Sequence, residues 1–538
     1  MEHLALFGNH LMKFLTKQYQ LILVYAFSVA GLFNIPLFQK LFDAYDLSLN
    51  SILFSISLWV VIGSLNAFVL SIFSNKYTLK SLMVIFTIIG ASTSYFSFKL
   101  GIIFDDVMIL NMISTDVAEA EGLMTIELMM LIFVLVIFTY LIFKYQIRFA
   151  GIKEESISKL IILGLSPVLM IAMILANSAT FASFIREHKE IRYFATPITP
   201  IYSAISLLKE SYTESEVIGD MINPVPSAHI SFLDSDKELV ILIVGETVRS
   251  DHMYLNGYQK NTNPYTSKIS NLVSYKNFSS CGTSTAISVP CMFSFEGRKN
   301  FRKNNIYKEL NVLDTLVKAG VYVEWRDNNS SSKGVSDRIK TFNFRNDSIN
   351  TFCDEECRDL GMLVDLKNII TLHNNEDILI VLHAMGSHGP EYYKRYPENF
   401  AIFQPECKSK DLQDCEIDEI VNAYDNSIVY SDYLISEAIN LLKEYPGKDT
   451  RMLYISDHGE SLGEFGLYLH GYPYQFAPDS QKNVAAITWA DQNADIPFEM
   501  VNAVKDVHFS HDNLACSLLE IFEVSAEACT DIPSIFHK

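Results

Sequence analysis

Polar side chains that can bind metals or move protons follow four apolar segments in the second half of the sequence. The segments and their polar followers are 239–244 with Glu246, 321–325 with Asn328 and Asn329, 378–382 with His383 and His388, and 452–456 with Asp457 and His458. Each segment is typical of a buried strand, and the helical stretches between them predict an α/β sheet. Because such sheets bind ligands at the carboxyl ends of their strands, we expect two carboxylates and several imidazoles to meet at one edge.

Carboxylates and imidazoles at one edge are ligands that Zn²⁺ accepts, and catalytic zinc sites use three protein ligands and one open position. Each residue alone also has an ordinary structural interpretation. Glu246 fits a helix cap, Asp457 a turn residue, His383 a core histidine, and His470, in "YLHGYP", a loop histidine. The repetition at equivalent strand ends favours a metal site.

The uncharged segment "FSSCGTSTAISVPCMFSF", residues 278–295, supplies a candidate nucleophile between two cysteines. A hydroxyl bound to Zn²⁺ can ionise near neutral pH, as bound water does. The branched Cβ of threonine also restricts χ1, which helps to aim the oxygen. Spacing alone does not choose among the hydroxyl residues Thr283, Ser284, Thr285 and Ser288.

The cysteines indicate an oxidising compartment, since all eight lie at or after residue 281 and fall into neighbouring pairs. The pairs are Cys281 with Cys291, Cys353 with Cys357, Cys407 with Cys415 and, more loosely, Cys516 with Cys529. Zinc binding or free thiols are the alternative, but no Cys-x-x-Cys spacing occurs, which favours disulfides. The net charge of −20 argues against nucleic acid as the main partner.

The first part of the chain contains apolar runs that are each about 20 residues long, the length that crosses a bilayer. They cover residues 21–38, 52–73, 82–103, 124–143 and 160–181. Lysine and arginine concentrate at the N-terminus and in the loops after the second and fourth runs, whereas the other two loops are mostly acidic. Because basic loops stay in the cytoplasm, the N-terminus is predicted to be cytoplasmic and the chain after about residue 184 to be exported.

The predicted organisation is an N-terminal five-helix transmembrane domain at 1–184, a proline-rich connector at 185–231 and a C-terminal α/β domain at 232–538. The transmembrane domain includes an exported helix at 104–121, and the connector includes a helical piece at 201–212.

Six segments carry a resemblance to a known family. They are "IVGETVRSDHMYLNGY", "SCGTSTAISVPCMFS", "DNNSSSKGV", "LHAMGSHGP", "YISDHGESLGE" and "LHGYPY". With these segments and its five-span anchor, the chain resembles the lipid phosphoethanolamine transferases. These are inner-membrane enzymes of Gram-negative bacteria that modify lipid A and include transferable colistin-resistance enzymes. The resemblance implies that the C-terminal domain has the alkaline phosphatase/sulfatase fold, a central sheet flanked by helices.

The resemblance also implies roles for individual residues. Glu246, Thr285, Asp457 and His458 would bind the principal Zn²⁺, with Thr285 as the nucleophile that becomes phosphorylated. Asn329 and Lys333 would contact the phosphate. His388 and His470 would line the acceptor side, assist proton transfer or hold a second, weaker zinc. On the periplasmic helix, Asn111, Thr115 and Glu119 would bind the ethanolamine headgroup of the donor; their spacing alone fits an ordinary solvated face equally well.

The implied reaction moves phosphoethanolamine from phosphatidylethanolamine to a lipid A phosphate, which would confer resistance to polymyxin, colistin and other cationic peptides. The enzyme is expected to be an inner-membrane monomer with a periplasmic catalytic domain. Alternatives within the superfamily are a core-oligosaccharide phosphoethanolamine transferase and a phosphoglycerol transferase of the lipoteichoic-acid type. A sulfatase is disfavoured because neither Cys281 nor Cys291 stands in a formylglycine context. A membrane-anchored, metal-dependent sensor is the alternative that is not an enzyme.

Overall fold

The computed structural model describes residues 17–45, 47–115, 117–149, 151–188, 190–214, 221–231, 236–492 and 494–537. Contacts divide the chain into two units. The first comprises Met1–Ile109 and Met124–Lys209, and the second comprises Leu110–Leu123 and Glu210–Lys538. The functional boundaries that the sequence predicts, after residues 184 and 231, stay predictions.

Apolar helices form most of the first unit. The α-helices before residue 215 are α1 Gln18–Leu32, α2 Ile35–Ala44, α3 Leu49–Phe73, α4 Leu79–Leu100, α5 Asp106–Ser114, α6 Val117–Gly122, α7 Ile126–Lys144, α8 Ile152–Ala176, α9 Ser178–Glu187 and α10 Ile198–Glu214. Of these, α3, α4, α7 and α8 are each long and apolar enough to cross a membrane, and α1 with α2 makes a fifth if the bent pair is one span. The predicted apolar runs overlap these segments.

The first predicted span is bent by 49° between α1 and α2. Pro36 stands in the first turn of α2, where its missing N–H is not needed, so a new helix begins there. The fully buried Asn34 fills the break: its Nδ2 donates to the carbonyl oxygen of Thr196 and its Oδ1 accepts from the Thr196 N–H, both at 2.9 Å. The hydroxyl of Thr196 in turn donates to the carbonyl oxygen of Phe33 at 2.6 Å, so a backbone carbonyl at the bend is bonded within the unit.

The single helix predicted at 104–121 is two helices in the structure, α5 and α6. Thr115 lies between them, and its hydroxyl donates to the carbonyl oxygen of Asn111 at 2.9 Å. Such side-chain bonds compete with the helical backbone, which explains why the sequence Ser-Thr-Asp interrupts the helix. Asn111 and Thr115 therefore do not share one continuous helix with the segment of Glu119, whose side chain lies outside the described residues.

A mixed sheet of seven strands forms the centre of the second unit. Its strands are β1 Glu238–Gly245, β2 Leu272–Tyr275, β3 Tyr322–Asp327, β4 Lys340–Asn343, β5 Ile378–His383, β6 Asp449–Ser456 and β7 Ala486–Ala490. Their spatial order is β2-β7-β6-β1-β5-β3-β4, in which β6, β1, β5, β3 and β4 are parallel and β7 is antiparallel to both its neighbours. Short ladders pair His229–Ile230 with Val524–Ser525, Phe278–Ser279 with Phe509–Ser510, and Ser461–Leu462 with Tyr468–Leu469.

The central strand β1 is apolar from Leu239 to Val244 because both faces of the sheet are covered. Its residues alternate between two cores: Leu242 belongs to one and Ile241 to the other, and both are fully buried. The helices of this unit are α11 Thr285–Met292, α12 Gly297–Asn300, α13 Val312–Lys318, α14 Leu366–Leu372, α15 Ile417–Leu442, α16 Phe498–Ala503 and α17 Leu514–Ile521. Residues of α11, α13 and α17 pack in the first core, and residues of α14 and α15 pack in the second. The predicted C-terminal α/β fold, a central sheet flanked by helices, is confirmed.

All eight cysteines form disulfides. The bonds join Cys281 to Cys291, Cys353 to Cys357, Cys407 to Cys415 and Cys516 to Cys529. The last pairing is the one that the sequence left open.

Replacing Leu242 with alanine tests the two-faced core. We expect Leu242→Ala to lower the free energy of unfolding by about 2–5 kcal/mol, since it opens a cavity where packing is complete. Leu372→Ala is the matched control: Leu372 is 75% exposed, and its loss should change stability by less than about 0.5 kcal/mol. Denaturant unfolding of the detergent-solubilised chain measures both, and equal effects would contradict the assignment of Leu242 to the core.

Candidate active site

The parallel register of β1 and β6 brings two acidic residues together at the carboxyl edge of the sheet. Gly245 is paired with Ser456, so Glu246 and Asp457 leave neighbouring strands at the same level. Both side chains and that of His458 are fully buried. One ligand atom from each of these three residues lies within 4.8 Å of the others.

Thr285 is the hydroxyl residue of the disulfide-bridged loop that reaches this cluster. It begins α11, and its Oγ1 donates to Glu246 Oε2 at 3.1 Å and lies 3.3 Å from His458 Nε2. Thr283 donates instead to the carbonyl oxygen of Tyr472 and Ser288 to that of Asp457, and the buried hydroxyl of Ser284 has no hydrogen-bond partner among the described residues. The structure thus distinguishes among residues that sequence spacing left equivalent.

The cluster has the donor set and the charge of a divalent metal site. Nδ1 of His458 donates to the carbonyl oxygen of Gly459 at 3.0 Å, so Nε2 carries the lone pair. Nε2 lies 3.3 Å from Glu246 Oε1 and 3.3 Å from Asp457 Oδ2. Burial raises the pKa of Asp457 to about 6 and lowers the pKa of His458 well below its usual value. The lone pair of a neutral imidazole and two carboxylate oxygens repel one another, a cation between them would remove this repulsion, and these donors fit Zn²⁺.

The two predicted phosphate ligands lie in different surroundings. Asn329 Nδ2 donates to Glu246 Oε2 at 2.8 Å and to the carbonyl oxygen of Ala384 at 2.9 Å, so Asn329 orients Glu246. The ammonium of Lys333 donates to Ser330 Oγ at 2.7 Å and lies 3.4 Å from the carbonyl oxygen of Ser114. The phosphate contacts expected of both residues stay predictions.

Three histidines form a row beside the cluster. The ring centre of His470 lies 4.4 Å from that of His458 and 5.4 Å from that of His388. Burial, with a smaller contribution from His470, lowers the pKa of His388 well below its usual value, so His388 is neutral at pH 7. His383 lies apart from this row, where its Nδ1 is 3.1 Å from Asp327 Oδ2.

Comparisons with known proteins agree with this architecture. A family described as "Sulfatase" matches residues 238–524, and one described as "Phosphoethanolamine transferase EptA/EptB" matches residues 62–212. The chain is 37% identical to phosphatidylethanolamine transferase Mcr-2 of Escherichia coli, over 94% of this chain and 95% of that one. It is 35% identical to phosphoethanolamine transferase EptA of Escherichia coli K12, over 94% of each.

The chain belongs to the phosphoethanolamine transferase family. The transferase also has the fold of an integral membrane lipooligosaccharide phosphoethanolamine transferase A from Neisseria meningitidis, with a TM-score of 0.90 and 28% identity over 94% of this chain and 96% of that one. The family, the superfamily fold and the enzyme class that the sequence predicted are confirmed. The transferase is a multi-pass membrane protein with a soluble C-terminal domain.

Sequence reasoning missed two residues that position the site of the transferase. Glu460 is fully buried; its carboxylate lies 3.0 Å from His470 Nδ1 and accepts from the hydroxyl of Tyr392 at 2.8 Å. Glu460 also forms a second group that can hold a metal, with His458 and His470, whose ligand atoms lie within 4.8 Å of one another. The sequence signal that could have identified Glu460 is its position two residues after the candidate ligand His458.

His511 is the other missed residue, and it ties the nucleophile loop to the sheet. Its Nε2 donates to the carbonyl oxygen of Ser456 at 3.0 Å, and its Nδ1 accepts from the N–H of Cys281 at 3.0 Å. Both bonds require a neutral ring, and burial lowers the pKa of His511 to about 4. No local motif marks it, since it lies far along the chain from both partners.

If Glu460 positions His470, the transfer rate should depend on whether residue 460 has a hydrogen-bond acceptor. Glu460→Ala should lower the rate of phosphoethanolamine transfer roughly 10–100-fold, because His470 loses the group that fixes its ring. Glu460→Gln, which keeps an acceptor, should lose less, and the exposed Glu398→Ala should transfer as the wild type does. Release of diacylglycerol from a labelled lipid measures the rate. A wild-type rate in Glu460→Ala would contradict the role.

The neutral His511 predicts acid lability. Its pKa is about 4 in the folded state and about 6.5 in the unfolded state, so the unfolded chain binds more protons between these values. Stability should be complete above pH 6.5 and fall by up to about 3 kcal/mol as the pH drops to 4. His511→Gln should be less stable at pH 7 but lack this part of the slope. Thermal unfolding of both proteins in chelator measures it, and parallel pH profiles would rule it out.

Proposed function

We propose that the transferase moves phosphoethanolamine from phosphatidylethanolamine to a phosphate of lipid A through a phosphorylated Thr285. The observation that carries the proposal is the hydroxyl of Thr285, aimed at Glu246 and His458 at the carboxyl edge of the sheet. The names of the relatives support a lipid donor and a lipooligosaccharide acceptor. Membership of a transferase family favours this reaction over a sensor and over phosphoglycerol transfer.

The metal of the site is proposed to be one Zn²⁺, held by Glu246, Thr285, Asp457 and His458. When bound, it would lower the pKa of the threonine hydroxyl and offset the negative charge of the transferred phosphoryl group. A second, weaker site would use His388 or His470, and Glu460 adds a carboxylate to that group.

In the first step, Thr285 Oγ1 attacks the phosphorus of phosphatidylethanolamine, and the bond from phosphorus to the diacylglycerol oxygen breaks. The hydroxyl proton lies toward Glu246 Oε2, which is the acceptor at 3.1 Å. A histidine protonates the departing diacylglycerol oxygen, and His470 fits this role better than His388, because the lowered pKa of His388 leaves its ring neutral at pH 7. Thr285 then carries phosphoethanolamine at the N-terminus of α11, where backbone N–H groups favour an anion.

In the second step, an oxygen of a lipid A phosphate attacks the same phosphorus, and the bond to Thr285 breaks. The threonine hydroxyl is regenerated with the proton that Glu246 or a histidine returns. Asn329 keeps the Glu246 carboxylate in place throughout through its 2.8 Å hydrogen bond. Lys333 supplies a positive charge for the phosphate, and Asn111, Thr115 and Glu119 receive the donor headgroup.

The membrane location that we propose follows from the two lipid substrates. Both lipids keep their acyl chains in the bilayer, because exposing each methylene to water costs about 0.8 kcal/mol. We place the enzyme in the Gram-negative inner membrane as a monomer, with its N-terminus in the cytoplasm and its disulfide-bonded domain in the periplasm. The product gains an ammonium group, so the modified surface attracts polymyxin, colistin and other cationic peptides less.

Intact-mass spectrometry of the purified protein tests the nucleophile. Wild-type protein trapped with donor lipid and no acceptor should gain one phosphoethanolamine on Thr285, and Thr285→Ala should gain none. Thr283→Ala is the matched control, because its hydroxyl bonds to Tyr472 and not to the cluster. An adduct of equal yield in Thr285→Ala would place the nucleophile elsewhere.

The acceptor is tested separately by mass spectrometry of lipid A and core oligosaccharide from cells with and without the protein. We expect lipid A to gain one phosphoethanolamine unit at a phosphate, and the gain to vanish with Thr285→Ala. A gain on the core sugars alone would reject lipid A as acceptor while leaving the nucleophile intact.

A further inference from the structure

A second acidic cluster lies at the amino-terminal edge of the sheet, opposite the edge that carries Thr285. Glu238 is the first residue of β1 and Asp449 is the first residue of β6, and the parallel register pairs them directly. Asp495 joins them from the loop after β7. One carboxylate oxygen from each of the three residues lies within 4.8 Å of the others.

Two of these carboxylates are buried with an oxygen that has no hydrogen-bond partner. Glu238 is 5% exposed and Asp449 is 7% exposed. Glu238 Oε2 and Asp449 Oδ1 are both bonded to no other group of the described chain, although Asp449 Oδ2 accepts from the N–H of Asp495 at 2.9 Å. Like charges directly opposite on neighbouring strands repel, and a buried oxygen without a partner costs further stability.

The basic residues nearby do not pair with these carboxylates, although two buried nitrogens of Arg451, Nε and Nη1, have no hydrogen-bond partner among the described residues. Arg451 donates through Nη2 to the carbonyl oxygen of Ile496 at 3.2 Å, and its guanidinium lies over the ring of Phe536. Lys237 pairs with Asp377 at 3.3 Å, and Lys448 donates to the carbonyl oxygen of Asn374 at 2.8 Å. Within the described residues, none of these cations lies within ion-pair distance, 4.0 Å, of Glu238 or Asp449. They moderate the repulsion between the two carboxylates but do not bind them.

We propose that Glu238, Asp449 and Asp495 bind one calcium ion that joins β1, β6 and the loop after β7. Carboxylate oxygens are the ligands that hard divalent cations prefer. The donors of this cluster are all carboxylate oxygens, with no nitrogen or sulfur ligand, which favours Ca²⁺ or Mg²⁺ over Zn²⁺. Mg²⁺ demands near-octahedral geometry and usually keeps several waters, whereas Ca²⁺ accepts flexible sites built from protein oxygens, so ligands from two strands and a loop favour calcium.

The role that we assign to this ion is structural. The strands that it joins, β1 and β6, are the two that carry Glu246 and Asp457 at their other ends. An ion at their amino ends holds the register that sets the carboxylates of the active site side by side. The competing occupant is a proton, since burial and Asp449 raise the pKa of Glu238 to about 10.

Calcium binding to the full-length, zinc-loaded protein in detergent tests the site, because zinc already occupies the catalytic cluster. Equilibrium dialysis with radioactive calcium at about 1 mM should give one ion per chain. Asp449→Asn and Asp495→Asn should bind at least tenfold more weakly. Asp491→Asn, in the same loop but outside the cluster, should bind as the wild type does. Calcium should raise the Tm of the wild type by about 3 °C and leave that of Asp495→Asn unchanged.

Two outcomes would overturn the proposal. The first is no saturable calcium on the wild-type protein, a result that needs no variant to fold. The second is equal binding to the wild type, Asp449→Asn and Asp495→Asn, which would assign the ion to another surface. Glu238→Gln distinguishes a bound calcium ion from a proton shared by the carboxylates. If the cluster binds calcium, this variant should lose the calcium-dependent rise in Tm. A Glu238→Gln protein that keeps this rise would reject Glu238 as a ligand. None of these readouts uses transfer activity, so they stand apart from the proposed reaction.

Discussion

Two buried carboxylates that face the lone pair of one neutral imidazole are the constraint on which the rest of the site depends. Glu246 and Asp457 are adjacent because β1 and β6 are parallel and in register, and His458 follows on the same turn. Without a cation, this arrangement leaves negative charge in a fully buried place, which is costly. With one, the same arrangement becomes a strong site, and the threonine hydroxyl at 3.1 Å shares it. The same pair of buried carboxylates therefore explains both why the site is costly without a cation and why a cation bound there would act on the threonine hydroxyl.

The loop that carries Thr285, the proposed nucleophile, is held from several directions, which explains the short disulfide bridge. The Cys281–Cys291 disulfide closes the loop, Thr283 and Ser288 bond to Tyr472 and Asp457, and His511 bonds the loop to β6. These bonds leave Thr285 as the hydroxyl that contacts Glu246 and His458. A preorganised oxygen loses little freedom on reaching the transition state, so a rigid loop favours the proposed reaction.

The parts of the site that follow strand ends were predictable, because buried parallel strands are long apolar runs that the sequence displays directly. Glu246, Asp457 and His458 belong to this group, and four of the seven strands were identified in the same way. The strands β2, β4 and β7 were not identified, since they lie toward the edges of the sheet and are short. The interruption between α5 and α6 depends on one bond from a hydroxyl to a carbonyl oxygen. Helical spacing alone assumes a continuous helix, so it does not predict this interruption.

Tertiary contacts decided what the sequence left open. The choice of Thr285 and the positioning by His511 depend on residues that are 39 to 230 positions apart along the chain, so no local pattern encodes them. Asn329 shows the same limit, because its type fits a phosphate ligand but its amide bonds to Glu246.

The central claim is that a divalent cation at this edge activates Thr285, and anomalous X-ray diffraction at the zinc edge tests it most directly. Crystals of the zinc-loaded, full-length protein should show one strong peak about 2.0–2.2 Å from ligand atoms of Glu246, Asp457 and His458, with the threonine oxygen as the fourth neighbour. A structure with zinc bound elsewhere, no peak at this cluster and the threonine oxygen turned away would contradict the account.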